Sequence, residues 1–294
     1  FLLDLGVDFL ALSFVRCAAD ILELRQLIGD AGAFCHVIAK LENHEGLSNI
    51  EEILGVSDGL MVARGDLGVE LKPEEVPVVQ DKLVEMGRRF HKPVIVATQM
   101  LESMIENPRP TRAEVSDISH AVASGTDAVM LSAETASGKF PLESVEMMDR
   151  ICRQKELHLW HEGAFRSLTV EENPPLSVPA AIAVSTAQLS RDLLVRGVIV
   201  ISESGTSAIM TSSARPSAPV VAAASTQETC RYMNLIWGVI PILVGEESLA
   251  DHTQVARALG ASLGLAKQGE HLLLVRGFHP LPSRGEPSVT VLNL

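Results

Sequence analysis

From residue 8 onward, short apolar runs rich in β-branched residues alternate with longer stretches whose apolar positions recur every three or four residues. Asp8–Phe14, His36–Leu41, Gly59–Ala63, Pro93–Thr98 and Ala128–Ser132 predict strands. Ala19–Ile28, Val76–Phe90, Arg112–Ala123 and Pro141–Leu159 predict helices, with Thr111 placed to cap the third. Consecutive βα units imply a parallel sheet, and periodicity alone leaves an open sheet and an incomplete barrel as alternatives.

The polar, proline-rich run Glu171-Glu172-Asn173-Pro174-Pro175 then breaks the pattern, as a linker does. We place a boundary near 161–175, dividing the chain into units 1–165 and 166–294. Beyond it, Val178–Leu189 predicts a helix, and Val198–Ile201, Val220–Ala224, Ile240–Val244, Leu272–Val275 and Ser288–Leu292 predict the strands of a second α/β unit.

The polar residues favour the barrel. Each strand of the first unit ends in chemistry: Ser13, then Lys40 with Glu42, Arg64 with Asp66, Thr98 with Gln99, and Ser132 with Glu134. Reactive side chains collect at the carboxyl ends of strands in (β/α)8 barrels. The expected fold is therefore α/β, a partial (β/α)8 TIM barrel of five βα units followed by a separate α/β C-terminal domain.

Composition narrows the class. At 294 residues, 47% hydrophobic and 21% charged, the chain can build cores for two domains. A net charge of −13 without a basic patch argues against nucleic-acid binding. Cys17, Cys35, Cys152 and Cys230 form no C-x-x-C pair, which favours a reducing compartment over a zinc site or a disulfide framework. His158 and His161 form an H-x-x-H pair with no evident third ligand. No apolar run reaches the ~20 residues that span a bilayer. The chain begins at Phe1 in a segment unlike a signal peptide, so a cytoplasmic and incomplete sequence is expected.

Strand alternation puts Lys40 and Glu42 on one face, and the next strand brings Asp66 to a similar height beside Gly65. One carboxylate from each of two neighbouring strands makes a credible magnesium site, because substrate oxygens and water complete such sites. In isolation these are a salt-bridged turn. Their shared position at strand ends favours the metal. Neighbouring carboxylates keep Lys40 an ammonium, better suited to stabilising a phosphoryl group or an enolate than to Schiff-base chemistry. The string Ser137-Gly138-Lys139-Phe140 lacks the first glycine and the hydroxyl of a phosphate-binding loop.

The segments Ala11–Arg16, Ile38–Asn43, Met61–Gly68, Ala97–Met104, Arg109–Glu114 and Met130–Thr135 closely resemble pyruvate kinase, in the family's order from the fourth barrel strand to the eighth. The second unit resembles that family's C-terminal domain more loosely. The resemblance implies phosphoryl transfer from phosphoenolpyruvate to ADP, giving ATP and pyruvate. It implies that Lys40 steadies the phosphoryl group and the enolate, and that Glu42 and Asp66 hold Mg2+. Backbone amides at Arg64, Gly65 and Asp66 would cradle the substrate carboxylate, and Thr98 would stand beside the carbon that is protonated. It associates Ser13 with a K+ site, and Ser132 with Glu134 in a proton relay. A homotetramer is the implied assembly. Three earlier barrel strands, a phosphate-clamping arginine, most K+ ligands and a lid domain lie outside this sequence, so the polypeptide alone is expected to be inactive and poorly soluble.

In the second unit, Ser202-Glu203-Ser204-Gly205-Thr206-Ser207 leads from a strand into a helix, either as a plain cap or as an anion site. The resemblance favours a sugar-phosphate effector on Ser204, Thr206 and Ser207. The partner loop, Gly277-Phe278-His279-Pro280-Leu281-Pro282-Ser283-Arg284-Gly285, departs from the family's glycine-rich form. Two rival readings stand beside this one: a metal-dependent aldolase acting on pyruvate enolates, and a non-catalytic relic that binds a phosphometabolite.

Overall fold

The computed structural model describes residues 1–163, 175–278 and 286–294. The chain forms two compact units, Phe1–Gly163 and Ala164–Leu294. Most of the Glu171–Pro175 segment, and the loop past Phe278 as far as Arg284 and Gly285, lie outside the described residues.

The first unit is built on a sheet of five parallel strands in the order β1-β2-β3-β4-β5. They are Phe9–Leu12, His36–Leu41, Gly59–Ala63, Val94–Ala97 and Ala128–Met130. Each strand pairs with its neighbours in sequence, and the direction never reverses. This is the winding of a barrel wall. A doubly wound sheet would change direction at a switch point, so the order settles what periodicity left open.

Helices α1 (Ala18–Asp30), α2 (His44–Ser48), α3 (Ile50–Val56), α4 (Arg64–Glu70), α5 (Val76–Arg89), α6 (Arg112–Ser124), α7 (Ala133–Ala136) and α8 (Pro141–His161) fill the connections and the end of the unit. Sequence signals account for their ends. Thr111 and Glu114 form a reciprocal capping box at the start of α6, and Gly125, at φ 91°, stops that helix in the left-handed region. Proline lies in the first turn of both α5 and α8, where its missing N–H costs nothing.

The core runs through the middle strands. Val37, Leu60, Val62 and Val96 have no exposed surface, and Ile21, Ile53, Leu83 and Ile118 close over them from the helices. Each such side chain contributes ~1.5–3 kcal/mol on leaving water. Register is fixed at the opposite edge from the polar strand ends. Asp58, just before β3, accepts the Val37 N–H at 2.8 Å, and Asp127, just before β5, accepts the Val94 N–H at 2.9 Å.

Three expected strands are shorter than their apolar runs. Phe14 (φ 55°) turns the chain after β1, and Thr98 and Gln99 (φ 70° and 53°) turn it after β4. Strand β5 stops at Met130, short of Ser132. Strand β3 has its expected length, and α4 begins directly after Ala63, so Asp66, expected at a strand end, lies in a first helical turn.

The second unit contains α9 (Val178–Asp192), β6 (Gly197–Ile201), α10 (Thr206–Ser213), β7 (Val220–Ala224), α11 (Gln227–Met233), β8 (Val239–Leu243), α12 (His252–Ser262), β9 (His271–Arg276) and β10 (Ser288–Asn293). Its sheet has the order β10-β9-β6-β7-β8, with only β10 antiparallel. Strands β6 and β7 are wholly buried, as their unbroken apolar sequences require. Among the described residues, no helix is long and apolar enough to cross a membrane.

Candidate functional site

The residues singled out in the first unit gather at the carboxyl edge of its sheet. Lys40 is the penultimate residue of β2, and Glu42 follows the strand. The Lys40 ammonium lies 2.6 Å from Glu42 Oε1 and donates to Ser13 Oγ at 2.8 Å. The other carboxylate oxygen, Glu42 Oε2, accepts the Phe14 N–H at 2.5 Å. Glu42 is 1% exposed, whereas Lys40 is only half-buried and Ser13 is open to solvent. A buried carboxylate thus anchors an ammonium whose outer side is accessible. The left-handed turn at Phe14 aims that residue's N–H at Glu42.

Strand β3, next to β2, delivers Arg64, Gly65 and Asp66 as the first turn of α4, where backbone N–H groups lack intrahelical acceptors. Arg64 is buried, and its guanidinium turns away from the opening. It donates to the Thr98 carbonyl at 2.7 and 3.2 Å and to the Gln99 carbonyl at 3.1 Å, and it pairs with Asp117 of α6. The Gly65 N–H donates to Thr98 Oγ1 at 2.7 Å. In this structure, therefore, the Gly65 amide expected to face a substrate carboxylate is held by Thr98. Asp66 is exposed.

Thr98 and Gln99 are consecutive non-glycine residues at positive φ. Each such residue costs on the order of 1–3 kcal/mol unless its surroundings hold it. Here the Arg64 fork and the Gly65 amide hold the pair. Glu134, 2% exposed, spans two loops: one oxygen accepts the Leu101 N–H at 3.0 Å and the other the Ser132 N–H at 2.9 Å. It ties the loop after β4 to the loop after β5. Glu114 also braces the loop after β4, accepting from Ser103 N–H and Oγ at 2.7 and 2.5 Å and from Thr111 N–H and Oγ1 at 2.7 and 2.8 Å. Burial alone would raise the Glu114 carboxyl, but these bonds outweigh it and hold it below its ordinary range.

The donor set suits a hard divalent ion with few protein ligands. Among the described residues no three histidine, cysteine or acidic side chains cluster as a complete metal cage. Glu42, just after β2, and Asp66, in the first turn of α4, carry oxygen donors of the kind magnesium takes one or two at a time. Each Glu42 oxygen has one hydrogen-bond partner and retains a lone pair.

In the second unit Gly205 (φ 85°) precedes α10, and a Cβ there would fall 2.7 Å from the Tyr232 ring. Ser204 Oγ and Thr206 Oγ1 are 2.9 Å apart. Ser204 is exposed, Thr206 half-buried and Ser207 buried, so the three hydroxyls do not all face solvent.

Sequence reasoning missed two participants. Asp117, on α6, belongs with Arg64, and the Phe14 amide belongs with Glu42. Neither carries a local signal, since each partner lies far off in sequence. The Thr111-x-x-Glu114 spacing signals the capping box, but not the bonds by which Glu114 accepts from Ser103.

Comparison with known proteins bears on both units. Residues 1–145 match the family model for the pyruvate kinase barrel domain, and residues 180–286 match that for the pyruvate kinase alpha/beta domain. A pyruvate kinase of Sporosarcina psychrophila is 49% identical over 247 residues, covering 84% of this chain and 42% of that protein. One of Agrobacterium vitis is 43% identical over 288 residues, covering 96% of this chain and 58% of that protein. A crystal structure of a pyruvate kinase from Cryptosporidium parvum superposes with a TM-score of 0.88 at 36% identity, over 100% of this chain and 60% of that one. The chain spans about half the length of the curated relatives it matches.

Proposed function

Since this chain belongs to the pyruvate kinase family, we propose that the whole protein carrying it transfers the phosphoryl group of phosphoenolpyruvate to ADP. The bond from phosphorus to the enol oxygen breaks, and one to a terminal ADP oxygen forms. A proton then reaches the enolate carbon to give pyruvate. The observation that carries this reading is the Lys40 ammonium, fixed between Ser13 Oγ and the buried Glu42 carboxylate with its outer side open.

Such transfer depends on positioning and charge stabilisation. Lys40 presents a fixed positive charge to the phosphoryl oxygens in flight and to the enolate left behind. Glu42 and Asp66 are the proposed magnesium ligands, and the ion when bound neutralises charge on the transferring group. The first-turn amides of α4 at Arg64, Gly65 and Asp66 are proposed to hold the substrate carboxylate, with the Gly65 N–H exchanging Thr98 Oγ1 for it. The Thr98 hydroxyl, so released, would face the carbon that takes the proton. Ser132 and Glu134 are proposed for the proton path, and Ser13 for the neighbourhood of K+.

We assign catalysis to residues 1–165 and regulation to 166–294, with Ser204, Thr206 and Ser207 as the proposed phosphate-binding residues of a sugar-phosphate effector. A cytoplasmic homotetramer is the proposed working form. Pyruvate release from phosphoenolpyruvate and ADP, with magnesium and potassium, tests the assignment in the whole protein.

A further inference from the structure

The turn after β1 adjoins the candidate site through Ser13 and Phe14, and its pairing to β2 ends at Leu12. Side chains of other residues take up its backbone groups instead. The Phe14 N–H donates to Glu42 at 2.5 Å, the Arg16 N–H to Asp20 at 2.8 Å and the Ala18 N–H to Glu52 at 3.1 Å. The Val15 carbonyl accepts from Asn43 Nδ2 at 3.4 Å, and the Arg16 carbonyl from Asn49 Nδ2 at 2.9 Å. Helix α2 lies so close that a Cβ on Gly46 would collide with the Val15 carbonyl oxygen.

Asn49 is the distinctive member of this set. It closes α2 and stands at the N-cap of α3. At an N-cap the oxygen of an asparagine ordinarily accepts from the first helical turn. Asn49 makes no such bond, and its Nδ2 reaches 33 residues back along the sequence to the Arg16 carbonyl. Its own anchor is firm, because Ile50, Ile53 and Leu54 of α3 are buried in the core of the first unit. The carboxamide therefore ties a core helix to a turn in which Ser13, Phe14 and Arg16 are exposed.

What the turn holds gives the bond its consequence. Phe14 stands at φ 55°, its N–H fixes Glu42 Oε2, and Glu42 Oε1 lies against the Lys40 ammonium. Shifting the Phe14 amide would release one oxygen of a buried carboxylate, and the ammonium would move with it. We propose that Asn49 is a positioning residue for phosphoryl transfer, a role that rests on the activity assigned to Lys40 and Glu42: its bond to the Arg16 carbonyl holds the turn that orients Glu42 and, through Glu42, Lys40. A displacement of about 1 Å at a reacting group can cost on the order of 10²-fold in rate. A bond remote from the substrate can therefore set the rate of the step.

Two variants of the whole protein separate donation from helix capping. Asn49→Asp keeps the size and the capping ability but loses the donor, and Asn49→Gln keeps an N–H donor on a longer arm. For Asn49→Asp, kcat for pyruvate release should fall about tenfold or more, with the KM for ADP within about twofold of wild type and the melting temperature retained or raised. Asn49→Gln should recover part of the lost kcat. Apart from turnover, hydrogen–deuterium exchange followed by mass spectrometry should quicken about tenfold or more across residues 13–17 in Asn49→Asp. It should stay unchanged at Val37, whose amide Asp58 holds. A wild-type kcat in Asn49→Asp would overturn the proposal, as would an Asn49→Asp protein faster than Asn49→Gln, the order that capping alone predicts. Unchanged exchange across residues 13–17 would overturn it as well. A wild-type protein that releases no pyruvate would instead overturn the assigned activity and this role with it, while the exchange still decides whether Asn49 holds the turn.

Discussion

The Arg64 guanidinium, at the start of α4, grips the carbonyl of Thr98 at 2.7 Å, two strands' ends tied by one side chain. The grip explains how a β-branched residue and its neighbour can both hold positive φ at the end of β4. Arg64 is held in turn by Asp117. The sharp turn that presents Thr98 is thus supported from behind by residues that do not face the opening.

Replacing Arg64 with Met should leave the Thr98 and Gln99 carbonyls without this donor. We expect a loss of about 1–3 kcal/mol in the first unit, from unsatisfied acceptors and a released strained turn. Urea unfolding followed by far-UV circular dichroism measures it. Asp117→Asn should lose less, because it keeps an acceptor oxygen for Arg64.

Glu114 gives a pH signature. Its carboxyl is held below the ordinary value of 4.5, so the folded state favours the ionised form. For a lowered carboxyl, the linked stability is complete above the unfolded value and is lost as pH falls toward the folded one. The melting-temperature gap between wild type and Glu114→Gln should therefore be widest near neutrality and shrink below about pH 4.5. A gap that widens in acid would contradict the bracing role.

In the second unit, Gly205→Ala places a methyl group against the Tyr232 ring at a backbone angle that L-residues rarely adopt. The left-handed conformation alone costs roughly 1–2 kcal/mol, and the contact adds to it. Thermal unfolding should show a lower midpoint for the second unit's transition. Ala208→Gly, within the same helix, controls for general helix loss.

Much of this architecture could be read directly. The runs His36–Leu41 and Gly59–Ala63 match β2 and β3 residue for residue, because each is a buried strand of a parallel sheet with clear breaks on either side. The ends after β1 and β4 could not, since Phe14, Thr98 and Gln99 look like strand residues and turn only because distant groups hold them. Asp66 was expected at a strand end for the same reason: Arg64-Gly65-Asp66 carries no cap that announces α4. Lys40 and Glu42 were legible as a pair because alternation alone sets them on one face, and they stand 2.6 Å apart. The Asp117–Arg64 contact spans 53 residues of sequence, and no local pattern encodes it.

The most direct test of the account is the rate of pyruvate release from phosphoenolpyruvate and ADP, with magnesium and potassium, in the whole protein and in its Lys40→Met variant. We predict a fall of about 10²–10³-fold or more in kcat, the scale of removing one preorganised charge-stabilising group, with the circular dichroism of the fold retained. A folded Lys40→Met protein that keeps the wild-type rate would contradict it.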